Sequence, residues 1–199
     1  NQIHSNKVLE ASSYLKPNLP KGDGLISTRK NQSLWIYSAD CIPVLIANKK
    51  TGQVGAFHVG WRGITNYLIL KGIQKLTLED RNLKNIFIAM GPAISGRNYQ
   101  VDIDVGKLIC ESLLQFSNDF FSTKYLNELK KLEIIGFNKN HQKINLDIRN
   151  ALKQQLINIG LNETQISICS ICTYANSDLF FSRRREKNKY VQWSGISSH

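Results

Sequence analysis

Ser33-Leu34-Trp35-Ile36-Tyr37-Ser38-Ala39-Asp40-Cys41-Ile42-Pro43-Val44-Leu45-Ile46-Ala47-Asn48, followed by Thr51-Gly52-Gln53 and then by Val54-Gly55-Ala56-Phe57-His58-Val59, is the stretch that sets the fold class. The first part is rich in β-branched and aromatic residues and reads as a strand over 33–48, with Pro43 as a bulge or an edge position. Thr51-Gly52-Gln53 reads as a turn. Val54 to Val59 reads as a second strand, so the pair predicts an antiparallel hairpin.

Working outward, Gly60-Trp61-Arg62-Gly63 ends the second strand, and helical spacing predicts a helix from about Ile64 to Leu78 that Gly72 weakens. Asn85 to Met90 reads as a buried strand ending at Gly91-Pro92. Val105 to Phe116 reads as a helix with Leu108, Ile109, Leu113 and Phe116 on one side. Asp147 to Ile159 reads as another, with Asp147 as N-cap and Gly160 at C′. Gln165 to Ile171 alternates like a strand, and Tyr190 to Ile196 reads as a last one. Helices mixed with strands, one hairpin included, favour an α+β (mixed α/β) domain over a helical bundle.

The bulk composition fits that class. The 199 residues suffice for one buried core, so a single domain over residues 1–199 is expected. Hydrophobic residues make up 42% and charged residues 21%, ordinary values for a soluble globular protein. No apolar run approaches the roughly 20 residues that cross a bilayer. Asn1-Gln2-Ile3-His4-Ser5 lacks the charged start and apolar centre of a signal peptide, so no membrane partner and a cytoplasmic location are expected. The formal charge is +11, which favours anionic partners. Most of the lysines are scattered and read as solvated surface, and the dense run is Arg183-Arg184-Arg185-Glu186-Lys187. No nucleic-acid motif or aromatic-basic interleaving accompanies them, so no specific nucleic-acid partner is expected.

Two runs carry chemistry: Ser38-Ala39-Asp40-Cys41-Ile42-Pro43-Val44 and Ala56-Phe57-His58-Val59-Gly60-Trp61-Arg62-Gly63. If the strands pair, Cys41 and His58 reach the same end of the sheet, and thiolate with imidazole suits zinc. By spacing alone, core packing for Cys41 and a hydrogen-bonded structural role for His58 remain open. His4 is one of four histidines, and read alone it is a surface residue near a frayed terminus. As a third ligand it would complete a Cys-His-His set with one position open, the catalytic arrangement. The four cysteines do not suggest a secreted disulfide scaffold. Cys169-Ser170-Ile171-Cys172 could be a redox pair or half a zinc knuckle, but core packing is the better reading because no second such motif exists. Cys110 reads as core, and His141 as a surface loop residue.

The two runs, with Met90-Gly91-Pro92-Ala93-Ile94, resemble the blocks of the YfiH/YlmD family, also called the laccase-domain, multicopper polyphenol oxidoreductase or FAMIN-like family. Gln2-Ile3-His4, Asp23-Gly24-Leu25-Ile26, Leu146-Asp147, Cys172-Thr173, Phe180-Phe181-Ser182 and Arg184-Arg185 continue the match in family order. The resemblance implies a layered α/β/β/α sandwich with mixed sheets and a metal site of His4, Cys41 and His58. It implies a purine nucleoside enzyme: phosphorolysis of adenosine, inosine and guanosine, cleavage of methylthioadenosine, and deamination of adenosine. Its other implications are a copper-dependent polyphenol oxidase and a peptidoglycan editing factor. Two departures stand out. Ser95-Gly96-Arg97-Asn98-Tyr99-Gln100-Val101 replaces a Gly-Pro-Cys-Cys-(Tyr/Phe)-Glu-Val block, which removes the carboxylate at Gln100. The chain also begins at the Gln-x-His block, before which family members carry a further segment, so either the sequence is truncated or those leading strands are expected to be absent.

Zinc is the expected cofactor, with copper as the alternative. Bound zinc brings the pKa of water from about 15.7 to about 7. Deamination at adenine C6 also needs a carboxylate that moves protons. Asp40 is the nearest candidate, although in a regular strand it would point away from Cys41, and Asp23 is the weaker one. Phosphorolysis needs a phosphate clamp, which arginine suits. Arg62 leads, with a structural cap on the helix-starting turn as its equal alternative. Arg184 and Arg185 follow, against a solvated-face reading. A multicopper laccase needs about ten ligands, mostly histidine, and four histidines in all argue against it. The expected partners are a purine nucleoside and phosphate, and the expected assembly is a monomer or small homo-oligomer.

Overall fold

The computed structural model describes residues 1–11, 19–78, 82–114, 127, 129–137, 143–187 and 189–199. Within them, strands β1 (Val8–Glu10), β2 (Gly24–Ile26), β3 (Ser33–Ser38), β4 (Ile42–Asn48), β5 (Val54–Val59), β6 (Ile86–Met90), β7 (Gln100–Asp102), β8 (Ile135–Phe137), β9 (Lys143–Leu146), β10 (Ile166–Ile168) and β11 (Gln192–Ser197) form three sheets. The largest has six strands in the order β1-β2-β5-β4-β6-β10. Its outer pairs β1–β2 and β6–β10 are parallel, and its inner pairs are antiparallel. β3 pairs with β11 in a two-stranded antiparallel sheet, and β7-β9-β8 form a third antiparallel sheet. This is the expected mixed α/β class with mixed sheets.

The predicted hairpin is β4–β5, with Pro43 opposite His58. Pro43 sits in a central strand without cost because the ladder to β6 begins only at Val44, leaving no partner that needs a Pro43 N–H. The single strand predicted over 33–48 is two strands in different sheets. The chain breaks at Asp40, whose φ of 107° no regular strand permits. β3 then lies across β5 and β4, and Leu34 and Ile36 pack with Val54 and Ala56 in a second core.

Helices cover the other face. The helix predicted from Ile64 to Leu78 is two: α1 (Trp61–Thr65) and α2 (Leu68–Leu76). They are separated at Tyr67, which has φ 57° and whose hydroxyl donates to the Ser112 carbonyl at 3.3 Å. Ile64, Leu68, Ile69, Ile73 and Leu76 are buried in the main core with Val44, Ile46, Phe57 and Val59. Each such side chain contributes about 1.5–3 kcal/mol on burial. Gly72 is in the helix for a packing reason. A Cβ there would lie 2.4 Å from Phe57 Cζ, and Gly24 and Gly55 abut the same fully buried ring.

The later helices are α3 (Ile103–Leu114), α4 (Ile148–Asn158) and α5 (Arg183–Glu186). α4 matches its predicted limits: Asp147 caps it by accepting from Arg149 N and Asn150 N, and Gly160 has φ 99°. The predicted end of α3 at Phe116 and the loop residue His141 lie outside the described residues. Among the described residues no helix is long and apolar enough to cross a membrane.

Candidate metal centre

Side chains alternate along a strand, so on β5 His58 shares a face with Val54 and Ala56, the face turned to the second core. It stands at the end of that strand, where β3 has ended and the chain turns at Asp40 into β4. Cys41 occupies that turn, one residue before the ladder Ile42↔Val59 begins. The thiol therefore comes over Gly60, where a Cβ would lie 2.9 Å from Cys41 Sγ and 3.5 Å from His4 Cδ2. Only glycine leaves room for both side chains. The hairpin reading thus placed Cys41 and His58 together, although Cys41 lies in the break between strands and not inside one.

His4 arrives from the N-terminal arm. It has φ 58°, and the arm around it is tied down at several points. The Gln2 side-chain amide pairs with the backbone of Tyr37 in both directions, at 2.8 and 3.1 Å. Asp23, 1% exposed, accepts from the backbone N–H groups of Ile3, His4 and Ser5 and from the Ser5 hydroxyl. Its Oδ1 also lies 3.0 Å from His58 Nδ1. His4 Nε2 is 3.8 Å from Cys41 Sγ, the two imidazoles meet edge to face at 4.7 Å, and the donor atoms of His4, Cys41 and His58 lie within 4.8 Å of one another.

This donor set fits a tetrahedral metal ion. Zinc bonds of about 2.0–2.1 Å to nitrogen and 2.3 Å to sulfur put donors about 3.3–3.6 Å apart, so shifts of about an ångström close the site. Its electrostatics suit a cation as well. Burial would raise the Cys41 thiol, but His4 and His58 outweigh it and bring it down to about 7, so the thiolate that binds metals is accessible near neutrality. Burial alone would lower His58, but Asp23 and Cys41 lift it to about 9. Burial opposes ionisation of Asp23, yet His58, Ser5 and Ile3 hold it well below the usual carboxylate range. The Asp23 carboxylate and the neighbouring imidazoles thus favour negative charge on Cys41 and positive charge at His58, a polarity into which a cation would fit in place of a proton.

The three side chains open on a cleft of about 620 Å³, which Tyr37, Asp40, Tyr99, Arg183, Arg184, Lys187, Lys189 and Tyr190 also line. Asp40 faces the cleft because the strand breaks there, contrary to the regular-strand expectation. Its two oxygens accept from Thr173 Oγ1 at 2.7 Å and from Arg184 N at 2.8 Å. Arg184 donates to the Gln100 carbonyl at 3.0 Å and lies over the Tyr99 ring. Burial, then the Cys41 charge, pushes the Tyr99 phenol up to about 12, so it stays neutral. Arg62 stands just past His58, on α1, with its guanidinium 4.2 Å from the Trp61 ring centroid and outside the residues that line the cleft.

Arg185 corrects the sequence reading. Its guanidinium donates to the carbonyls of Thr173, Tyr174 and Phe180 and to Glu186, so it braces the loop before α5 and is occupied where a phosphate clamp was expected. Lys189 and the aromatic walls Tyr99 and Tyr190 were not singled out as site residues by sequence reasoning, and Lys187 only as the end of the basic run, since nothing local marks a residue whose neighbours come from other segments. Cys169 and Cys172 are free thiols. Cys172 accepts from Ser95 N and Asn98 Nδ2 beside a separate cavity, so the Cys-x-x-Cys is neither a disulfide nor part of the cluster.

The fold and the cluster together define a class. A family profile described as "Multi-copper polyphenol oxidoreductase laccase" matches residues 1–196, and the chain belongs to that family. The protein named purine nucleoside phosphorylase slr1573 in Synechocystis sp. is 34% identical over 208 residues, covering 100% of this chain and 78% of that protein. The purine nucleoside phosphorylase RP494 of Rickettsia prowazekii is 30% identical, covering 98% of this chain and 72% of its own length. The crystal structure of YlmD from Geobacillus stearothermophilus matches with a TM-score of 0.80 at 23% identity, over 99% of this chain and 71% of that one, and bears on the fold.

Proposed function

We propose that the protein is a metal-dependent purine nucleoside phosphorylase with adenosine deaminase activity, and that zinc is held by His4, Cys41 and His58. The observation that carries the reading is the convergence of those three donors in a cleft that also holds cationic and aromatic side chains. The names of the relatives at 34% and 30% identity support the phosphorylase part.

In phosphorolysis the ribose C1′–N9 bond breaks, a phosphate oxygen bonds C1′, and the purine leaves with a proton. Charge is positive on the sugar and negative on the base as the bond breaks. Arg184, with Arg183, Lys187 and Lys189, supplies cationic donors for phosphate, and Arg62 stands close enough to act on the same electrostatics. Tyr99, neutral and partly buried, and Tyr190 offer faces on which a base can stack. In deamination, Asp40 is the carboxylate of the cleft and is the group assigned to move protons. A bound zinc would supply Lewis acidity and an activated water at neutral pH. One thiolate and two imidazoles would also hold a single copper, so the phenol-oxidising alternative stays testable in the same assay.

The test is incubation of the metal-loaded protein with adenosine and phosphate. Adenine and ribose 1-phosphate report phosphorolysis, and inosine followed by hypoxanthine reports deamination. His58→Ala and Cys41→Ala are expected to lower turnover by about 100-fold or more. A wild type that makes no product, or a His58→Ala variant with full activity, would overturn the proposal. Oxygen uptake with a phenol would favour the copper oxidase.

A further inference from the structure

We infer that Asp23 is the positioning residue of the centre, a single buried carboxylate that orients both metal-binding histidines and latches the arm that carries one of them. The inference rests on the metal reading above for its consequence, and on the hydrogen bonds of this chain for its geometry. The Asp23 side chain is fully buried, and all its partners belong to the site. Oδ1 accepts from His4 N at 2.9 Å and lies 3.0 Å from His58 Nδ1, and Oδ2 accepts from Ser5 N at 2.6 Å and from Ser5 Oγ at 2.8 Å. Ile3 N donates to both oxygens, at 3.1 and 3.2 Å. The backbone joins in, since His58 N donates to the Asp23 carbonyl at 2.8 Å and Asp23 N to the Lys7 carbonyl at 3.1 Å.

Two consequences follow from this arrangement. On the imidazole side, a carboxylate at Nδ1 keeps a proton there, so the lone pair of the neutral ring resides on Nε2 and is available to a metal. On the arm side, three consecutive N–H groups wrap one carboxylate in an anion-binding concavity. That wrapping uses the left-handed backbone of His4, at φ 58°, a conformation uncommon outside glycine. His4 is otherwise exposed. Gln2 fastens the arm to Tyr37 on one side, and the Asp23 carboxylate receives the N–H groups of the turn itself, the turn that aims the His4 ring at Cys41. Asp23 does not itself line the cleft; it acts through the two histidines it holds.

Asparagine is the informative substitution because it keeps the size and one acceptor. Its amide N–H₂ must face either the Ser5 donors or the donor at His58 Nδ1, and each choice breaks one half of the latch. Three readouts are proposed on wild type, Asp23→Asn and Ser5→Ala. They are the slowly exchanging ring N–H proton of His58 in metal-free protein by NMR, amide hydrogen exchange of residues 3–5, and zinc affinity by competition with a chromophoric chelator. Wild type is expected to show a protected His58 Nδ1–H and slow exchange at residues 3–5. Asp23→Asn is expected to lose the protected proton or the slow exchange, and to bind zinc about 100-fold more weakly. Ser5→Ala, which removes one donor, is expected to change zinc affinity less than tenfold. A wild type with no protected His58 ring proton overturns the inference without any variant. So does an Asp23→Asn protein with wild-type zinc affinity and unchanged exchange. If wild type takes up no zinc while the NMR and exchange readouts respond as expected, the latch stands and the metal reading fails.

Discussion

Arg184 and Arg185 are adjacent in sequence and have different surroundings. Arg184 faces the cleft, donates to the Gln100 carbonyl and lies over Tyr99. Arg185 has its guanidinium on three carbonyls and Glu186. Arg185→Ala is therefore expected to cost about 2–3 kcal/mol of stability in urea unfolding, because several carbonyls lose a charged donor. Arg184→Ala is expected to leave stability nearly unchanged and to raise the phosphate KM about tenfold or more. Equal effects of the two on both quantities would contradict this division. No local pattern in Arg183-Arg184-Arg185 could separate them, since loops distant in sequence decide which guanidinium is occupied. The same limit applies to the candidate metal donors. Strand pairing is periodic, so the hairpin brought Cys41 and His58 to one end of the sheet, but spacing left core and structural roles open for both. His4 and Asp23 were legible only as parts of family blocks, because a left-handed turn closed by a carboxylate 19 residues away leaves no periodic trace.

At the scale of elements, what sequence spacing handled least well was interruption. The break at Asp40 divides one apolar run between two sheets, and the break at Tyr67 divides one helix into two. Both depend on tertiary partners: Thr173 and Arg184 hold Asp40, and Ser112 receives the Tyr67 hydroxyl. Strands of three or four residues, such as β1, β2 and those of the β7-β9-β8 sheet, are too short for alternation to show. Capped elements fared better, and α4 ran from the predicted N-cap at Asp147. Gly72 illustrates why propensity alone misleads. Alanine is the better helix former by about 1 kcal/mol, but its methyl would fall 2.4 Å from the Phe57 ring in a fully packed core. Gly72→Ala is expected to lose about 1–3 kcal/mol in chemical denaturation, since overpacking outweighs propensity. A stabilised Gly72→Ala would contradict the close approach of α2 to the Phe57 ring on β5.

For the molecule as a whole, the fold brings to one end of the six-stranded sheet an N-terminal arm, a strand break, a hairpin end and the basic segment around α5. The cleft between them exists only once all four are in place, so the site and the fold are specified together. The central claim is that one sulfur and two imidazole nitrogens from these segments bind one metal ion. X-ray absorption at the zinc edge of the zinc-loaded protein tests it most directly. The expected spectrum has one sulfur at about 2.3 Å and two nitrogens at about 2.0–2.1 Å, with one further light atom; the sulfur contribution should vanish in Cys41→Ser. A wild-type spectrum of oxygen and nitrogen neighbours alone, or one that Cys41→Ser leaves unchanged, would contradict the account.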